Sequence, residues 1–184
     1  MEAIDLNLTS GLRWADCNVG SKKETDPGLY FQFGDITGYR DASHSTDATC
    51  PGGFDWGENN IVNGVLKPGA DAACVHLGGD WRLPSPDEIN ELICETVIEV
   101  SVVEGVKGMR FISKSDHSKS IFVPFSGVMF CKALLYKGIG GLLWSNSLCG
   151  GQSAKACRLL ISDKGVASLG SDVRFLSVPV RAVI

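Results

Sequence analysis

Midway along the chain stands the string Gly78-Gly79-Asp80-Trp81-Arg82-Leu83-Pro84-Ser85-Pro86-Asp87-Glu88, and it leaves the neighbouring residues little freedom. Ser85 is placed as an N-cap, Pro86 has its φ preset for the first helical position, and Glu88 stands at the third, so a capping box opens a helix. Ile89, Leu92 and Ile93 then form one apolar face at helical spacing. Just upstream, Trp81 has a large ring to bury and Arg82 can span a turn. A chain with this element must pack one face of a helix against another layer. It must also bring a tryptophan-bearing segment directly to the start of that helix.

The other elements are marked by shorter signals. Ile4, Leu6 and Leu8 alternate with Asp5, Asn7 and Thr9, which predicts a half-buried strand. Ser10-Gly11 marks a turn, and Leu12 to Gly20 predicts a second strand paired with the first. A short helix is expected from Asp71 to His76, ended by Gly78-Gly79. Met109 to Ser113 and Ser120 to Pro124 flank a polar loop and predict a hairpin. Further strands are expected at 127–131, 142–145, 157–162 and 176–183. Residues 34–69 show no period, and Tyr30, Phe31, Phe33, Tyr39, Phe54 and Trp56 are expected to pin that region to the core. Helices in the middle and strands at both ends give an α+β fold, in one domain spanning 1–184 with no internal repeat or linker.

Composition narrows the function. Hydrophobic residues make up 44% and charged residues 21%, as in ordinary globular chains. Seventeen Lys and Arg against 21 Asp and Glu give a net charge of -4, so neither nucleic acid nor an anionic membrane is an expected partner. No apolar run is long enough to span a bilayer, so no membrane insertion is expected. The opening Met-Glu-Ala-Ile-Asp lacks the basic and apolar regions of a signal peptide. The seven cysteines (17, 50, 74, 94, 131, 149 and 157) include no CxxC or zinc-like spacing and are expected to be mostly buried free thiols. His44, His76 and His117 are scattered, and no phosphate-cradling loop is present. Asp35, Asp41, Asp47, Asp55 and Glu58 are expected to form a solvated loop. No cofactor and no metal is predicted.

The string around Trp81 resembles the Trp-Arg-Leu-Pro-Thr-x-x-Glu element of a large bacterial and phage group. That group includes the formylglycine-generating-enzyme-like domains and the major paralogous domain common in Bacteroidetes. The resemblance runs along nearly the whole chain. Residues 3–20 look like its opening strand pair, and Tyr30-Phe-Gln-Phe-Gly-Asp like its aromatic-Gly-Asp segment. Asp71-Ala-Ala-Cys-Val-His-Leu-Gly-Gly matches its short helix. Gly105-Val-Lys-Gly-Met-Arg-Phe, Ser120-Ile-Phe-Val-Pro-Phe-Ser-Gly and Leu143-Trp-Ser-Asn-Ser-Leu come next, in the family's order. The ending, from Arg174 to Ser177-Val-Pro-Val-Arg-Ala-Val, is similar to the family's close. The resemblance implies a C-type-lectin-like fold.

Many members of that group look like variable proteins of diversity-generating retroelements, in which adenines of the C-terminal coding segment are rewritten. By that resemblance, residues 142–184 form a variable region. It would act as a receptor-recognition or adhesin surface on a phage tail fibre or, after export, on a cell. The partner would be a host-cell or other macromolecular ligand, and homotrimers occur among phage relatives. Trp144, Ser145, Leu148, Ala156, Leu159, Ile161, Val166 and Arg174 read as framework. Between them, Asn146, Cys149, Cys157, Arg158, Leu160, Ser162, Ala167, Leu169, Ser171, Asp172, Phe175 and Leu176 form an unpatterned set, the expected ligand-binding positions. Rewriting an AAC or AAT codon at its adenines reaches residues of this kind and never Glu, Gln, Lys, Met or Trp, all absent from the set. If Leu159 and Ile161 face inward, Arg158, Leu160 and Ser162 share the opposite face.

Two other readings belong to the same resemblance. One is a structural or surface domain that is not diversified. The other is a copper-dependent oxidase of the formylglycine-generating type, for which Cys149 and Cys157 are the only cysteine pair so placed. Their separation is wider than that family's, and fold likeness alone does not carry activity, so no enzyme is expected. The Glu-Pro-Asn and Trp-Asn-Asp elements of calcium-dependent lectins do not occur.

Overall fold

The computed structural model describes residues 1–41, 60–150 and 152–184. The predicted roles of His44, Cys50, Phe54, Trp56, Asp47, Asp55 and Glu58 lie outside the described residues. Antiparallel sheets dominate, with two α-helices between them, and the α+β expectation holds in that form.

The chain opens with β1 (Ala3–Asp5) and β2 (Arg13–Ala15), paired with Ile4 opposite Trp14. Leu6 and Leu8 are buried while Asn7 turns at φ 55, so the expected alternation outlasts the strand itself. β3 (Tyr30–Phe31) pairs with β14 (Val178–Pro179), and β4 (Ile61–Val62) with β5 (Val65–Leu66). Helix α1 (Ala72–Leu77) has Asp71 as N-cap, accepting from the N–H groups of Ala73 and Cys74, and it stops at Gly78 with φ 70. The second Asp71 carboxylate oxygen accepts from Leu83 N–H at 2.9 Å, which ties α1 to the Trp-Arg-Leu segment. Burial raises the Asp71 pKa, against the pull of these three N–H donors.

Helix α2 (Pro86–Glu95) carries the predicted capping box in full. Arg82 grips Glu88 through two bonds at 2.6 and 2.7 Å, while the Ser85 N–H donates to the same carboxylate. Burial works to raise the Glu88 carboxyl, but these donors outweigh it and hold it below the ordinary range. Ile89 and Leu92 are buried, as the spacing requires.

Strand β6 (Thr96–Val103) continues from α2 without a loop and pairs with β7 (Val106–Ser113), which pairs in turn with β8 (Ser120–Pro124). β9 (Val128–Phe130) and β10 (Ala133–Leu135) form a small hairpin. Then come β11 (Gly140–Cys149), β12 (Gln152–Ser162) and β13 (Ala167–Val173). They build a five-stranded sheet in the order β13-β12-β11-β5-β4. The expected strands at 127–131, 142–145 and 157–162 fall within this set. Only Val178–Pro179 of the segment 176–183 is a strand. β3, β6, β10 and β13 were not foreseen, nor was the β4–β5 pair, which lies inside the segment 34–69 read as irregular.

The larger sheet divides the interior. On one face Leu142, Trp144 and Ala156 join Phe31, Phe33, Ala73 and Val180. On the other, Leu143, Leu159 and Ile161 join Ile89, Leu92, Phe111 and Trp14. The chain ends close together: Arg13 and Ile184 exchange N–H···O bonds, and Arg82 does the same with Val183. Arg181 is fully buried and donates to Asn18 Oδ1, Ala15 O and Phe122 O at 2.8–2.9 Å. Burial pushes its guanidinium down to about 10, so it stays charged at neutral pH.

Candidate ligand-binding groove

The β12 register decides where the expected variable residues go. Arg158 lies opposite Trp144 and Gly170, Leu160 opposite Leu142 and Ser168, and Ser162 opposite Gly140. Paired residues share a face, so Arg158, Leu160, Ser162 and Asp172 belong to the Trp144 side. Leu159 and Ile161 lie on the α2 side, as expected. The twelve positions therefore do not form one surface. Cys157, Ala167, Leu169 and Ser171 lie on the α2 side, with Cys157 buried and Ala167 packed against the Leu159 and Ile161 core. Val166, read as framework, is exposed in the turn before β13.

On the Trp144 side a cavity of about 370 Å³ opens, within the range of small-ligand pockets. Its floor is Gly140, Gly141 and Leu142 with Leu160 and Ser162. Asp172 and Leu176 stand on one side. Val128, Phe130, Leu135, Tyr136 and Ile139 form the other. Four expected positions thus meet in one groove: Leu160, Ser162, Asp172 and Leu176. Phe175 lies behind the wall, its ring stacked on Phe130 at 5.7 Å, and its carbonyl accepts from Gln32 Nε2 at 2.9 Å.

Arg158 does not reach outward. Its Nε donates to Asp172 at 3.0 Å, and the guanidinium lies across Gly170, where a Cβ would meet Nη1 at 2.7 Å. The ion pair is largely covered, Arg158 more so than Asp172. It presents a fixed dipole beside an otherwise apolar groove.

The opposite wall is held by backbone. Met129 and Ser177 exchange hydrogen bonds, Gly138 N–H donates to Phe125 O, and Gly127 N–H donates to Gly140 O. Gly127, at φ 72, lets the loop approach so closely that a Cβ would sit 2.2 Å from Leu135 O. Tyr136 is 64% exposed and Ile139 55% exposed on the rim, an apolar pair left open beside a formed groove. Sequence reasoning passed over this wall. The available signal was the run Leu134-Leu135-Tyr136 with Ile139, too apolar for an ordinary loop between strands.

Asn146 and Cys149 lie toward the far end of β11, about 13 and 23 Å of strand beyond Leu142 at the usual rise of about 3.3 Å per residue. Asn146 N–H donates to Pro84 O at 2.8 Å, and its side-chain oxygen accepts from Ser147. The Cys157 thiol donates to Leu148 O at 3.7 Å and also contacts Cys149. Burial, then the neighbouring Cys149, push the Cys157 thiol up to about 11. A thiol so raised is a poor nucleophile at neutral pH. Among the described residues, no three His, Cys, Asp or Glu side chains cluster as a metal site. His76 instead bonds Ile36 O at 2.8 Å and meets the Phe31 ring edge-on. Asp35, expected in a solvated loop, is instead buried, where it accepts from the N–H groups of Thr37 and Gly38.

Set against protein-family models, curated proteins and solved structures, the chain gives no significant match.

Proposed function

We propose that this is a binding protein with a C-type-lectin-like fold, the variable protein of a diversity-generating retroelement. Its groove receives part of a macromolecular ligand on a host cell or other surface, as in a phage tail fibre or displayed adhesin. One observation carries the reading. Four residues of the expected variable segment, Leu160, Ser162, Asp172 and Leu176, come together from two separate stretches of chain in one preformed apolar groove. An open groove with an apolar floor and a fixed charged pair suits an inserted aromatic or aliphatic anchor, the commonest hot-spot chemistry of protein interfaces.

The placement of Cys157, Ala167, Leu169 and Ser171 on the α2 side limits the proposal. Variation at buried Cys157 disturbs the core, and Ala167, like Leu160 and Leu176 of the groove, packs against one, so it is the groove itself that marks its own side and rim as the diversified set. If no position varies in nature, the chain is a surface domain of fixed sequence.

A library test separates these. Residues 158, 160, 162, 172 and 176 are randomised together on displayed protein and selected against a fixed protein target such as lysozyme. A second library randomises 157, 167 and 171. Folded binders are expected from the first alone. Binders arising equally from both libraries, or from neither, would overturn the groove assignment. A template repeat differing at adenines over codons 146–176, beside a reverse-transcriptase gene, is expected in the source genome; its absence would refute diversification.

A further inference from the structure

We propose that β6 is a self-association edge, through which two copies of this chain pair antiparallel about a twofold axis at Val100. The strand is the outer member of the β6-β7-β8 sheet and runs eight residues in unbroken register. Its sequence, Thr-Val-Ile-Glu-Val-Ser-Val-Val, carries a single charge, Glu99, and no proline, glycine or bulge, so the strand itself holds little that blunts an edge. Val100 is 42% exposed and Val102 61% exposed. No backbone group of Thr96–Val103 bonds to a described residue outside its own sheet.

The turn fixes which groups are free. Glu104 (φ 49) and Gly105 (φ 79) both have positive φ, the geometry of a two-residue type I′ hairpin. Such a turn is closed by a hydrogen-bonded pair, here Val103 and Val106. By alternation Ser101, Glu99 and Val97 also bond to β7. The N–H and C=O groups of Ile98, Val100 and Val102 therefore point away from the sheet.

Those outward groups select the register. A twofold at Val100 sets Val100 opposite its copy and Ile98 opposite Val102, giving about six backbone bonds. All three apolar side chains then share one face. A twofold at Glu99 would oppose two carboxylates directly. One at Ser101 keeps only about four bonds, and one at Ile98 leaves Val102 uncovered and runs into α2. The Val100 register also places Glu99 of one copy opposite Ser101 of the other. Ser101 Oγ is covered in the single chain with no hydrogen-bond partner among the described residues, and turning its side chain outward in the pair would give it the facing carboxylate as acceptor. An isologous pair of this kind closes on itself and does not polymerise.

Analytical ultracentrifugation over a micromolar to sub-millimolar series is expected to give a mass about twice 19.6 kDa at the upper end. Val100→Pro removes an outward N–H without touching a β7 bond, so it is expected to give monomer with unchanged circular dichroism. Val102→Lys is expected to do the same. Val100→Cys, treated with oxidised glutathione, is expected to give a crosslinked dimer whose peptide map shows residue 100 joined to residue 100, with two thiols oxidised and one glutathione disulfide reduced to two thiols. A wild-type chain monomeric throughout, or a dimer that survives both Val100→Pro and Val102→Lys, would overturn the proposal.

Discussion

The groove exists only if the loop after β10 can lie against Gly127, and that contact sets a measurable cost. In Gly127→Ala the new Cβ meets two backbone atoms, Leu135 O at 2.2 Å and Lys137 N at 2.8 Å. Neither can rotate away, so the loop must retreat by about 1 Å to restore ordinary contact. That retreat strains or breaks the Gly127 N–H bond to Gly140 O and the Gly138 N–H bond to Phe125 O, each 2.8 Å. Holding alanine at φ 72 adds about 1–2 kcal/mol, and each weakened bond about 1 kcal/mol. The sum is about 3 kcal/mol, or a fall in Tm of about 6–12 °C for a chain of this size. Gly165→Ala is the matched control, because Gly165 has φ 74 and nothing within 4 Å of its Cβ position. It isolates the backbone term, about 1–2 kcal/mol. Urea unfolding of wild type and both variants gives the comparison. Equal losses in the two variants would mean that the loop does not press on Gly127, and the groove wall would lose its basis.

Three further outcomes are expected. Ser85→Ala removes the cap of α2 and should lower unfolding free energy by about 1 kcal/mol in the same titration. Gly170→Val forces the Arg158 guanidinium off Asp172, and it should lower affinity for any ligand selected on the wild-type groove while changing far-ultraviolet dichroism little. Cys157 is raised by burial to about 11 and Tyr30 to about 12, so the fold favours both neutral forms. The contribution of these two groups to stability should therefore be complete below pH 9 and be lost as pH rises, through about 11 for Cys157 and about 12 for Tyr30, while Arg181, lowered to about 10, acts in the opposite direction over the same range. Tyr30→Phe should flatten the upper part of that fall and Cys157→Ala the lower, read as Tm against pH.

Local signals were strongest where one residue type does one job. The Ser85, Pro86 and Glu88 box and the Ile89 and Leu92 face were legible because caps and helical spacing depend on near neighbours. β6 was hidden because α2 ends at Glu95 and the strand begins at Thr96, with no Gly or Pro between. The helix is closed by Thr96 Oγ1 donating to Leu92 O instead. The β9–β10 hairpin was hidden because Cys131 and Lys132 take the positive φ angles usually left to Asn-Gly. β13 has Gly170 at its centre, and the reason for that glycine is Arg158, a residue on another strand. The groove depends on such long-range fits, so its apolar wall left only a faint mark in the sequence. The division of the variable set between two faces came from register, which the pattern at 167–173 does not specify.

The two-faced sheet has a consequence for anyone engineering this protein. Along β12 the codons for 160 and 162 code for shape presented to a visitor and 158 for the charged pair beside it, while 157, 159 and 161 code for the ground on which that shape stands. A mutagenic scheme that skips every other codon keeps most of its members folded. One that runs straight through spends half its diversity on chains that never present a groove.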